Sequence, residues 1–221
     1  MSLRRLRSRS RHVVEHPADE GLSLIELVVA MMIFSVVLAV YFGALISMAN
    51  TTTQARTSVD ASDALRATFH ALDRQVRYAT AINRPVKGGT GAWYVEFEAT
   101  NLPVGPPNMC YQWRLDPTSN VLSYRTWDES GVTVAAWQGV AWNVAAPGAG
   151  SPFVFAMAAG TSLAQKLTVN LQVTGQAGHV LAQQGTTFVA RNSSAGSITN
   201  GDTNGDGVSD SQVCMTGMDR P

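Results

Sequence analysis

Three stretches of this 221-residue chain carry side chains whose types and spacing could do chemistry. The first is GDTNGDGVSD, residues 201–210. Asp202, Asn204 and Asp206 stand at positions 1, 3 and 5 of an oxygen-ligand loop, and Gly207 falls where such a loop turns sharply. Val208 offers its carbonyl at position 7, and Asp210 stands at position 9. That spacing is the start of a calcium loop, and hard oxygen donors suit Ca2+ rather than zinc. A full EF-hand is not expected, because Val213 replaces the bidentate glutamate of position 12 and no helical pattern flanks the loop. A polar Asp/Asn/Gly-rich turn without an ion would have the same composition.

The second is the pair Cys110 and Cys214. In an exported domain such a pair forms one disulfide, whereas in a reducing compartment it stays as two thiols. The third is Glu26, the last charge before the uncharged run from Leu27 to Gln54. Ser23-Leu24-Ile25-Glu26 has the pattern of a capping box, and a carboxylate in a first helical turn faces the positive end of the helix dipole. A carboxylate next to hydrocarbon also calls for a partner. No catalytic constellation accompanies these three. His70 and His179 are the only histidines after residue 21 and read as structural or solvated, G-x-S-x-G and H-E-x-x-H are absent, and an enzyme is not expected.

The elements that must position these residues begin with the N-terminus. Leu27–Ala49 is free of charge and proline, and as a helix it would be about 35 Å long, enough to cross a bilayer. Residues 1–21 hold five arginines against three acids, leaving 11 basic and 13 acidic residues in the rest. The positive-inside rule then places residues 1–21 in the cytoplasm and the body outside. That makes a single-pass protein of the inner (cytoplasmic) membrane with an extracytoplasmic head, a setting that favours the disulfide. The weakly acidic body gives no case for nucleic acid.

Gly21-Leu22-Ser23-Leu24-Ile25-Glu26, between a basic segment and an unbroken apolar run, resembles the type III signal sequence of type IV pilins and pseudopilins. The resemblance implies prepilin peptidase cleavage between Gly21 and Leu22, methylation of the new Leu22 amine, and pairing of Glu26 with the Leu22 amine of a neighbouring subunit. Other pilin or pseudopilin subunits, the peptidase and the membrane are then the partners. The stretch DALRATFHALDRQVRYATAI and the later TTFVARN resemble the minor pseudopilins of the PulJ/PilW kind.

Past the membrane segment, Leu65, Phe69, Leu72, Val76 and Ala79 recur at spacings of 4, 3, 4 and 3, which predicts one apolar helical stripe. Asp73 and Arg77 form a helical ion pair on the outer side. Gly43 and Ser47–Thr53 are candidate weak points. Alternation in Trp93–Glu98, the pair MCYQWRL and VLSYRTW about DPTSN, then VTVAAWQGVAWNV, FVFAMA, KLTVNLQV and TTFVAR predict strands. The expected fold is α+β, a long N-terminal helix with a membrane-spanning first half, packed on a C-terminal antiparallel β-sheet head. Its expected parts are a leader (residues 1–21), a helix (22–83, in the membrane to about 49), a β-rich head (84–191) and a tail with the calcium loop (192–221). The expected function is a structural subunit of a type IV pilus or type II secretion-like filament. The alternative is a single-pass anchored binding protein that does not polymerise, which needs neither Gly21 nor Glu26.

Overall fold

A computed structural model of the chain describes residues 23–102, 106–129, 133–175 and 178–220. It divides into two units, one ending at Thr51 and the other starting at Thr52. A single helix, α1 (Leu24–Arg77), contributes to both.

In the first unit α1 is apolar around its whole circumference. Side chains from Leu24 to Met48 stand exposed on every face, and the segment is long and apolar enough to cross a membrane. Two of its hydroxyls bond back to their own helix, Ser35 Oγ to the Met31 carbonyl at 2.7 Å and Thr51 Oγ1 to the Ser47 carbonyl at 2.9 Å. They therefore cost little in an apolar setting. The helix continues through Gly43, where an added Cβ would meet nothing within 4 Å. Among the described residues, no packing contact requires that glycine.

In the second unit α1 buries Ala61, Leu65, Thr68, Phe69, Leu72 and Val76; Leu65, Phe69, Leu72 and Val76 are the helical part of the expected stripe, and Ala61 and Thr68 extend it. The Asp73–Arg77 ion pair is also present. The helix stops at Arg77, earlier than the expected end near residue 83. Ala79–Ile82 instead form β1, which pairs antiparallel with a later strand. Ala79 is buried as anticipated, but from a strand: sheet pairing and burial of Ala79, Ala81 and Ile82 outweigh the weak helical preference of this stretch.

The remaining strands are β2 (Val86–Lys87), β3 (Trp93–Thr100), β4 (Asn108–Asp116), β5 (Val121–Asp128), β6 (Gln138–Trp142), β7 (Val144–Ala145), β8 (Phe153–Ala156), β9 (Lys166–Thr174) and β10 (Val180–Val189). Among the described residues they form two antiparallel sheets rather than one. A six-stranded sheet runs β1-β3-β4-β5-β6 with β2 beside β3, and a four-stranded sheet runs β10-β9-β7 with β8 beside β9. The hairpin about DPTSN is β4–β5. The inner faces of both sheets and the buried stripe of α1 share one core. Phe69 and Phe188 lie 5.8 Å apart, and Trp113 donates its indole N–H to Gln75 Oε1 at 2.8 Å. Ser58 Oγ bonds to the Leu181 carbonyl, and the Arg191 amide bonds to the Arg77 carbonyl. The helix is thus tied at both ends of β10, an outer strand whose edge would otherwise be open to pairing.

The outer face of the six-stranded sheet is covered by a strap from residues 197–220. Ser197 Oγ bonds to the Thr80 carbonyl, Ser209 Oγ accepts from the Arg84 amide, and the Asn83 side chain bonds to both backbone groups of Val213. Cys110 and Cys214 are joined by a disulfide across 104 residues. Gly217 passes so close to Trp127 and Val134 that a Cβ there would stand 2.7 Å from each. Beneath this strap a polar row crosses β3, β4 and β5. Gln112 Nε2 donates to Glu96 Oε1 at 2.9 Å, Arg125 Nε donates to Gln112 Oε1 at 2.7 Å, and Arg220 closes on Glu96 as an ion pair. Glu96 has no solvent exposure. Removing one partner of a buried pair strands the other charge. Arg220→Ala is therefore expected to destabilise the protein by about 3–5 kcal/mol. Arg220→Ala combined with Glu96→Gln should recover much of that loss, as read by denaturant melts of the full chain in detergent.

Candidate functional site

Ser23 and Glu26 open α1. The amides of Glu26 and Leu27 donate to the Ser23 carbonyl at 2.9 and 3.1 Å, which makes the first turn. Glu26 lies in that turn with its side chain exposed, at the positive end of the helix. Among the described residues it forms no ion pair. Gly21 and Leu22, the expected cleavage and methylation residues, lie outside the described residues.

The loop at residues 201–210 folds through its own side chains. Asn204 Oδ1 accepts from the Asp206 amide, Asp206 Oδ1 from the Val208 amide, and Asp210 Oδ2 from the Thr203 amide. Gly205 and Gly207 take left-handed backbone, at φ of 71° and 79°, which any side chain would strain. Asp202 turns inward, with Oδ2 3.7 Å from Arg84 Nε, while its Oδ1 is buried and, among the described residues, has no hydrogen-bond partner. Among the described residues, the carboxylates of Asp202, Asp206 and Asp210 do not converge within ligating distance of one another. His70 and His179 are both exposed.

The only group of three His, Cys, Asp or Glu side chains with converging ligand atoms, among the described residues, is Cys110, Cys214 and Glu129. Its two sulfurs are spent in the disulfide, so it offers no thiolate to a metal. Sequence reasoning found the cysteines through their number. It missed Glu129 and the Glu96–Gln112–Arg125–Arg220 row, because each reads as an isolated polar residue until the strap covers it. Cys214 also has left-handed backbone, at φ 64°.

Glu98 on β3 lies near this group. Burial first, and then the charge of Glu129, push its carboxyl above the ordinary value. The folded chain then holds a proton that the unfolded chain releases, so this group subtracts stability as pH rises above the unfolded pKa. Glu98→Gln is expected to raise the melting temperature near neutral pH. The effect should fade as pH falls through the unfolded value and vanish by a pH of about 3, where the carboxyl is protonated in both states. Thermal melts of the full chain across pH check both halves.

A family model described as the prokaryotic N-terminal methylation motif matches residues 17–42. The match covers the basic-to-apolar junction, Glu26 and the first turns of α1. No curated protein and no solved structure matches the chain. With a prepilin-type methylation motif leading into a long N-terminal apolar helix, the chain is type IV pilin-like.

Proposed function

We propose that the chain is a minor pilin or pseudopilin of the PulJ/PilW kind, a structural subunit of a type IV pilus or type II secretion-like filament. The observation that carries this reading is the methylation motif at residues 17–42, running directly into a helix long and apolar enough to cross a membrane. Prepilin peptidase cuts after Gly21 and methylates Leu22. The apolar half of α1 holds the subunit in the inner membrane in a single pass, with the β-rich head on the extracytoplasmic side. Glu26 meets the Leu22 amine of a neighbouring subunit, which offsets the cost of a carboxylate at the edge of hydrocarbon. An anchored binding protein that never polymerises needs no such pair. In a cell with the peptidase and an assembly machine, wild type and Glu26→Ala should both begin at a methylated Leu22 by intact mass, and only wild type should enter filaments. Full-length leader on the wild-type protein would overturn the assignment, and normal assembly of Glu26→Ala would reduce Glu26 to a helix cap.

We further propose that residues 201–210 take up calcium, with Asp202, Asn204, Asp206, the Val208 carbonyl and Asp210 as donors. Support comes from the two left-handed glycines and from Asp202 Oδ1, a buried carboxylate oxygen without a partner among the described residues. Binding would require the loop to tighten about the ion and Asp202 to share its charge with Arg84. A ligand bound only by the folded state adds about 2.7 kcal/mol at 100 times its dissociation constant. The full chain in detergent should therefore melt higher in millimolar calcium, less so in magnesium, and without response in Asp206→Ala. A melting temperature indifferent to calcium would leave a polar loop held by its own hydrogen bonds.

A further inference from the structure

Glu129 Oε2 stands 3.2 Å from Cys110 Sγ, and the ligand atoms of Glu129, Cys110 and Cys214 all lie within 4.8 Å of one another. A disulfide sulfur has no hydrogen to donate, so in the oxidised protein this approach is not a hydrogen bond. The thiol form of Cys110 does have one. The same carboxylate oxygen is held from two other directions, by the Trp127 indole N–H at 3.2 Å and the Thr216 hydroxyl at 2.8 Å. Trp127 is the register partner of Cys110 on β5, and Thr216 follows Cys214 on the strap. The carboxylate is therefore fixed from both sides of the bond. Cys110 and Cys214 are almost wholly buried, which keeps bulk water from taking a proton. The other charged groups near this corner are Glu98 on β3 and Arg125, whose guanidinium lies 5.8 Å from the centre of the Trp127 ring.

We propose that Glu129 is the proton acceptor for closure of the Cys110–Cys214 bond. The oxidant is an external disulfide. Cys214, on the strap next to the exposed Met215, first forms a mixed disulfide with it and releases one thiol of the oxidant. When the strap docks, the Cys110 sulfur attacks Cys214 Sγ while its proton passes to Glu129 Oε2. The mixed S–S bond breaks and the second thiol of the oxidant leaves as thiolate. The chain loses two electrons, the external disulfide gains them, and Glu129 later returns its proton to solvent. In reverse, protonated Glu129 reprotonates Cys110 as the bond is reduced.

The test uses the reduced full chain in detergent, oxidised glutathione as the probe, and acid quench with mass analysis to follow the mixed and closed forms. Glu129→Gln is expected to slow the closing step about 100-fold, the low end for a positioned base. It should slow reduction of the closed form by glutathione as well, so that the redox equilibrium moves far less than either rate. Glu129→Asp should recover part of both rates. Closure within twofold of wild type in Glu129→Gln would overturn the proposal. So would a rate loss matched by a shift of the equilibrium, since an electrostatic or packing role moves the end states. If Glu129→Gln does not fold, Thr216→Val keeps the carboxylate but loosens it. A several-fold slower closure in that variant supports the proposal, and an unchanged rate in both folded Thr216→Val and folded Glu129→Asp overturns it.

Discussion

A carboxylate sealed from water cannot stand in a sheet unless cations and donors reach it, and Glu96 imposes that demand on the strap that ends at Arg220. Its oxygens take bonds from Asn83, Gln112 and Arg220. The last of these comes from a residue 124 positions away. To bring Arg220 there, the chain must cross the outer face of the six-stranded sheet. It is pinned on the way at Asn83 and Cys110, and it passes Trp127 at Gly217. Arg125 adds bonds to the carbonyls of Gly217 and Asp219 and stacks with Arg114 about Trp137, at 4.4 and 4.2 Å from the ring centre. The result is that β3 is buried on both faces, on one side in the core shared with the helix and on the other beneath the strap.

The chain thus treats two carboxylates in opposite ways. Glu96 is neutralised within one molecule. Glu26 sits at the head of an apolar helix with no cation among its described neighbours. Under the filament reading its counter-charge belongs to another copy or another subunit. Internal neutralisation makes a stable head, and external neutralisation makes a unit whose lowest-energy state is an assembly.

Much of this architecture was legible in the sequence because it rests on local periodicity. The 4-3-4 stripe of Leu65, Phe69, Leu72 and Val76, the alternation of Leu167 to Val173, and the β4–β5 hairpin each declare themselves within a dozen residues. Boundaries were less legible. Ala79 continues the helical spacing, yet it belongs to a strand because β3 is there to pair with it. The first half of β10, Val180 to Gly185, has too few apolar residues to announce a strand and is fixed by pairing with β9. Trp93–Glu98 alternates as if one side met water, yet Tyr94 and Glu96 are buried, because nothing local reveals that a strap will arrive from residues 213–220. At the site, Glu26 and the cysteine pair stood out by composition, whereas Glu129 gains meaning only when Cys110 and Thr216 meet around it.

The placement of Arg220 also orders events in time. Contacts between the strap and β1–β5 span about a hundred residues of chain, and such long closures are slow to form. Residues near position 220 leave the ribosome after everything they cover. A head delivered across a membrane with its N-terminus first would expose Trp127, Cys110 and the carboxylate of Glu96 throughout transit. Cover of the sheet would therefore wait for residues 213–220, so that a chain stalled or shortened before them shows a half-covered sheet rather than a smaller stable domain.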